Sequence, residues 1–263
     1  MSYTTIIMWI VTIFIVIFCV YIYTIYRTIK KVYSAEETNR FLKKDIDLYV
    51  QGLSEYDLRA RKCKSSEEYI NRISSVGIDI SYFQKYYVGW CANQADSFFE
   101  NLKHTMYLPD THGIHNIEWN IAFFEGDEYE DGMPHTRTHI IFLPKKVLDY
   151  SMESLITLLI HEKIHIYQRY NGEIIDSHLK WQGYVKKRHA STEKLIRKNP
   201  DINQFIYTNP SSVEMYMVYN SENPKSINDA KNNMNTEYEH PYEMISYEIE
   251  KEYSITDNYG RIR

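Results

Sequence analysis

The segment from Tyr3 to Tyr26, YTTIIMWIVTIFIVIFCVYIYTIY, contains no charged residue. A helix needs about 20 apolar residues to cross the hydrocarbon core of a bilayer, and this run supplies them. A secretory signal would show a basic stretch, a shorter apolar core and a small-residue cleavage site. No Ala-x-Ala follows here, so the pattern predicts a retained single-pass anchor in the lipid bilayer over residues 3–26. The chain then turns polar and rich in helix formers through residue 75. SAEETNRFLKKDIDLYVQGL predicts a helix or stalk ending near Gly52, and SEEYINRISSVG a short helix with Ser65 or Ser66 as N-cap. Residues 81–102 are more apolar and predict a core helix capped by Ser81.

Two stretches rich in β-branched and aromatic residues follow, Asn116 to Phe124 and Thr136 to Leu143, with an acidic, glycine-containing turn between them. They predict a β-hairpin with a solvated acidic tip, Glu125 to Asp131, which lacks the alternating ligands of a calcium loop. From Ser151 the helical period returns. Leu155, Leu158, Leu159, Ile160, Ile164, Ile166 and Tyr167 predict a largely buried helix, opened by Ser151 and closed by Asn171-Gly172. Beyond it, HLKWQGYVKKRHASTEKLI is expected to be helical in parts and VEMYMVYN to form a strand. HPYEMISYEIEKEY is expected to form a helix with Pro241 in its first turn. The expected fold is α+β, organised as a transmembrane anchor (1–30), a helical stalk (31–75) and one domain (76–263).

The chain has 263 residues and a formal net charge of −5, so neither sign dominates. Nucleic-acid binders gather Lys and Arg on one face. Here the only dense basic run is VKKRH, Val185 to His189, read as a solvated helix face, and no nucleic-acid partner is expected. The 25 tyrosines, with many Ile, Asn and Lys, read as a nucleotide bias and carry no chemistry by themselves. The three cysteines, Cys19, Cys63 and Cys91, have no metal-binding spacing and are too few for a disulfide scaffold, leaving Cys63–Cys91 as the one pairing to test. Arg27, Lys30, Lys31, Arg40, Lys43 and Lys44 all follow the anchor. Basic flanks stay inside, which puts the C-terminal part on the cytoplasmic side.

The buried helix contains His161-Glu162-x-x-His165. Residues four apart share a helix face, so both imidazoles can address one ion, with Glu162 beside its open position. Hydrolysis by zinc needs this set: two neutral nitrogen ligands, a third ligand, a bound water and a nearby carboxylate. In this composition the spelling arises by chance on the order of a few times in a hundred. Burying two histidines and a glutamate in an apolar helix is also costly unless they are partnered. Asn171 and Gln168 stand where a third histidine and a glycine would extend the motif, which excludes the metzincin pattern. The third ligand is then a later residue: Glu243, early in its helix with small Ser246 one turn on, or Glu248, or His178.

With its strand THIIFLP, its helix LLIHEKIHIYQR and a downstream YEMISYE, the chain resembles the gluzincin branch of zinc metallopeptidases over about residues 80–255. The resemblance implies a zincin-like catalytic domain. In it zinc is held by His161, His165 and Glu243, Glu162 is the general base, and a peptide or protein is the substrate. In that family the strand before the zinc helix forms a sheet edge that holds an extended peptide, here His139 to Phe142. Tyr247 stands where many gluzincins have an aspartate that orients a histidine. Tyr247, Tyr242, Tyr238 and His240 are the candidate donors to a developing oxyanion, with Tyr247 the first choice. The alternative is a non-enzymatic single-pass membrane protein, for example a viral assembly component, that keeps the fold without the activity.

Overall fold

Serine caps open most of the helices in the first half of the chain. The structure is a computed structural model that describes residues 2–28, 31–102, 105–190, 193–233 and 236–260. Helix α1 (Tyr3–Thr28) carries exposed side chains over residues 6–21, and Tyr3–Tyr21 is apolar enough to cross a membrane, with a mean hydropathy of 2.5. Lys30 of the expected basic flank lies outside the described residues. A two-residue strand, β1 (Lys31–Val32), leads into α2 (Ala35–Lys44), α3 (Glu55–Ala60) and α4 (Ser66–Ile73), capped by Ser34, Ser54 and Ser65. Helix α5 (Tyr82–Asn101) opens on Ser81, whose hydroxyl accepts from the Gln84 amide while Gln84 reaches back to the Ser81 amide.

Strands β2 (Asn120–Phe124), β3 (His135–Arg137) and β4 (Ile140–Pro144) join β1 in one sheet of order β1-β2-β4-β3. The expected hairpin is not what forms. β2 and β4 are parallel neighbours, with Ile121 opposite Ile141 and Phe123 opposite Leu143, and β3 returns antiparallel to β4 through Thr138, whose φ is +54°. The reason is legible in hindsight: IAFF and IIFLP are continuously apolar, the mark of strands covered on both faces. Ile121, Phe123, Ile141 and Leu143 face α5 and the next helix, α6 (Met152–Tyr170), in one core cluster. Ala122, Phe124, Ile140 and Phe142 face the other way, against Phe41, Leu42, Tyr49, Val50, Leu58, Tyr69 and Ile73. Residues 31–75 are therefore the second layer of the body, not a stalk, and α2 ends at Asp45, short of Gly52.

The acidic tip divides: residues 125–128 are exposed, as expected, while Glu130 and Asp131 are built into the body. Glu130 is buried, accepting from Arg61 Nε at 2.9 Å, Tyr69 at 2.8 Å and Tyr49 at 3.0 Å, and Asp131 caps Ser226 and Ile227. Cys63 and Cys91 are both free and sit in different core clusters, so they do not pair.

After α6, Asn171 ends the helix as expected and α7 (Gly172–Trp181) begins at once. VKKRH is strand β5 (Val185–His189), not a helix face, and pairs with β6 (Phe205–Thr208). VEMYMVYN breaks at Tyr216 into β7 (Glu214–Met215), which pairs with β6, and β8 (Met217–Tyr219), which pairs with β9 (Ala230–Asn232). Helix α8 (Pro241–Gly260) carries its proline in the first turn and packs along α6. Among the described residues this makes a mixed α+β fold of eight α-helices and small sheets.

Candidate metal centre

Ser151 starts α6, and its apolar residues bind the helix to β2, β4 and α5, leaving His161, Glu162 and His165 toward α8. Glu243 on the first turn of α8 meets them. Its Oε2 is 3.5 Å from His161 Nε2 and 3.5 Å from His165 Nε2, and the two Nε2 atoms are 3.1 Å apart. Small Ser246, fully buried, lets the helices approach this closely. The structure thus brings Glu243 to the histidine pair and leaves the other two candidates elsewhere. Glu248 accepts from Tyr238 and Lys251, and His178 bonds the Met106 carbonyl.

The hydrogen bonds fix the tautomers. Gln168 Nε2 donates to the Tyr242 carbonyl at 2.8 Å, so its Oε1 faces His165 Nδ1 at 3.0 Å, and that nitrogen must donate. A carboxylate only accepts, so His161 Nδ1 donates to Glu250 Oε2 at 3.0 Å. Each neutral ring then turns a bare Nε2 toward the other and toward Glu243. Three acceptors with no donor among them repel unless a cation lies between: a proton or a metal ion. Burial would lower the His161 pKa, but its bonds to Glu243 and Glu250 outweigh burial and hold it well above the ordinary histidine value. Burial likewise opposes the ionised Glu243, and the two histidines override it, holding Glu243 well below the usual range.

Zinc fits this donor set. Nitrogen and oxygen ligands about 2.0–2.2 Å from a tetrahedral ion stand about 3.3 Å from each other, matching the 3.1–3.5 Å observed. Among the described residues, His161, His165 and Glu243 form a group that could hold a metal ion.

Glu162 stands outside that group, buried, with Oε2 unpartnered. Burial, and then the negative charge of Asp201, hold its pKa well above the ordinary carboxylate value. It lines a cleft of about 540 Å³ with His161, Glu243, Tyr238, Tyr247 and Asp201. The Tyr247 ring meets the His161 ring edge-on at 4.7 Å, and burial with the charges of Glu243 and Glu250 pushes its hydroxyl up to about 12, keeping it a donor at neutral pH. Tyr238 stacks on Tyr247. Tyr242 and His240 face away, bonded to Asp176 and to the Phe205 carbonyl.

Three supporting residues escaped the sequence reading: Glu250, Gln168 and Asn199. Glu250 lies seven residues after Glu243, two turns along one helix face. Gln168 lies three residues after His165, on the same face. Both spacings were visible. Asn199, which donates to Glu243 Oε1 at 2.7 Å, is 44 residues from its partner and left no signal.

One expectation is overturned here. β4 has β2 on one side and β3 on the other, so His139 to Phe142 offers no free edge. The edge strand is β3, and the outward Thr136 amide and hydroxyl both donate to Asp201, the hydroxyl at 2.8 Å. No family model, curated protein or solved structure matches the chain.

Proposed function

We propose that the protein is a membrane-anchored zinc metallopeptidase with a zincin-like body on the cytoplasmic side. The observation that carries this reading is the convergence of two imidazole Nε2 atoms and a carboxylate oxygen within 3.5 Å, beside a buried carboxylate that has an unpartnered oxygen. Lys31, Arg40, Lys43 and Lys44 after the span support the orientation. When bound, zinc supplies a Lewis acid that activates water and polarises a carbonyl. His161, His165 and Glu243 hold it, and Glu250 and Gln168 hold the histidines. Glu162 Oε2 takes the proton of the attacking water and passes it to the leaving amine. Tyr247 donates to the oxygen that gains charge.

The alternative, a non-enzymatic membrane protein with the same fold, draws on one observation: Asp201 already occupies the Thr136 edge where an extended peptide would add. One experiment separates the two. Zinc is measured on the full chain in mild detergent, and cleavage of an unbiased peptide library is compared for wild type and Glu162→Gln. A peptidase carries about one zinc per chain, loses it in His161→Ala, and loses roughly 10²-fold or more of its cleavage in Glu162→Gln with zinc retained. Zinc-free wild type, or equal cleavage by both proteins, would end the proposal.

A further inference from the structure

We infer that the first two turns of α5 dip into the near leaflet of the bilayer that α1 crosses, so that the body rests on the membrane surface and does not swing from a tether. The inference rests on reading α1 as a membrane span. Two fixed points set the direction of α5 against α1, which packs along it. Trp90 on α5 donates its indole N–H to the Tyr21 hydroxyl on α1 at 3.1 Å. Further along α5, Asp96 accepts from the Trp119 indole at 2.9 Å, and the Trp119 carbonyl accepts from the amide of Lys31, just past α1, at 3.2 Å. Residue number therefore increases the same way in both helices. Moving back from Trp90 along α5 leads alongside the apolar part of α1.

A helix rises 1.5 Å per residue, so Phe83 stands about 10 Å beyond Trp90 in that direction. The side chains there are large, apolar and uncovered. Phe83 is 87% exposed and Tyr82 81%. Tyr150 and Met152 join them from the start of α6, tied by the Tyr87 hydroxyl, which donates to the Tyr150 carbonyl at 3.1 Å. In and just below the headgroup layer such rings bury their apolar faces while tyrosine hydroxyls reach toward the wet interface. A protein partner on this patch would compete for its space with the lipid around α1, so continuity with that span selects the bilayer.

The far end of α6 points the other way. Lys163 pairs with Asp96, as Tyr150 pairs with Tyr87, so α6 also runs away from the membrane. Tyr170 at its end lies about 27 Å from Met152. His161 is nine residues from Met152, about 14 Å, so the candidate metal centre stands close above the lipid surface.

The test uses the full chain in phosphatidylcholine–phosphatidylglycerol vesicles, with Cys19→Ser as background because Cys63 and Cys91 are buried. Nitroxide labels are placed singly at Phe83→Cys, Phe14→Cys and Tyr170→Cys, and power saturation compares access to oxygen with access to an aqueous nickel chelate. The expected result is several-fold lower nickel access at position 83 than at 170, with 14 protected to a similar degree, because 83 and 14 both lie seven residues back from the Trp90–Tyr21 contact. Equal nickel access at 83 and 170 with 14 protected would overturn the inference and leave the anchor standing. Nickel access at 14 would overturn both.

Discussion

At the residue scale, the histidines are held by different means. Glu250 gives His161 a carboxylate, and Gln168 gives His165 an amide fixed in turn by the Tyr242 carbonyl. Partners of this kind set ring orientation and ligand basicity. Glu250→Gln and Gln168→Ala should therefore weaken zinc binding roughly 10- to 100-fold without abolishing it. Glu243→Ala should abolish it, and Glu248→Ala, whose carboxylate serves Tyr238 and Lys251, should leave it unchanged. Competition against a graded chelator series reads all four. Zinc lost in Glu248→Ala and kept in Glu243→Ala would move the third ligand.

At the scale of elements, α3, α4 and the turn before β3 are locked by one buried ion pair. Arg61 reaches Glu130, and Tyr49 and Tyr69 complete the carboxylate's bonds. Removing one member of such a pair strands the other, at a cost of about 3–5 kcal/mol. Glu130→Gln should destabilise the chain by that order in thermal unfolding in detergent. Burial opposes the ionised Glu130, but Arg61 prevails and holds its pKa at about 2, below the ordinary 4.5. The depressed value makes the sign definite: the pair's contribution is complete above pH 4.5 and fades as pH falls toward 2. The gap between wild type and Glu130→Gln should therefore narrow across that window, and a constant gap would refute the assignment. None of this was legible in the sequence, because Arg61 and Glu130 are 69 residues apart and an acidic cluster normally reads as solvated. The caps Ser65, Ser81 and Ser151, the closure at Asn171 and the HExxH face were legible, because each is set by neighbours within four residues. The pairing of β2 with β4 was lost between these extremes. Apolar periodicity shows that strands exist but not their direction, and a hairpin is the nearest answer.

At the scale of the whole molecule, the main correction is that residues 31–75 form one layer of the body. They bring Phe41, Leu42, Tyr49, Val50, Leu58, Tyr69 and Ile73 onto the sheet face made by Ala122, Phe124, Ile140 and Phe142. They also supply Arg61 for Glu130, and β1 for the open side of β2. Cutting the chain at residue 76 would remove all three at once. A sheet face of aromatic and branched side chains would meet water, a buried carboxylate would lose its counter-charge, and the Asn120–Ile121 end of β2 would lose its partner. A polar stalk predicts the opposite, since its loss would leave a complete domain. A fragment of residues 31–263 should therefore stay monomeric and melt cooperatively. A fragment of residues 76–263 should aggregate or melt without a cooperative transition, although it keeps His161, Glu162, His165 and Glu243. Size-exclusion chromatography with light scattering and calorimetry on both fragments decides the matter. A monomeric 76–263 with the melting temperature of the longer fragment would mean that the layer formed by residues 31–75 is an appendage after all.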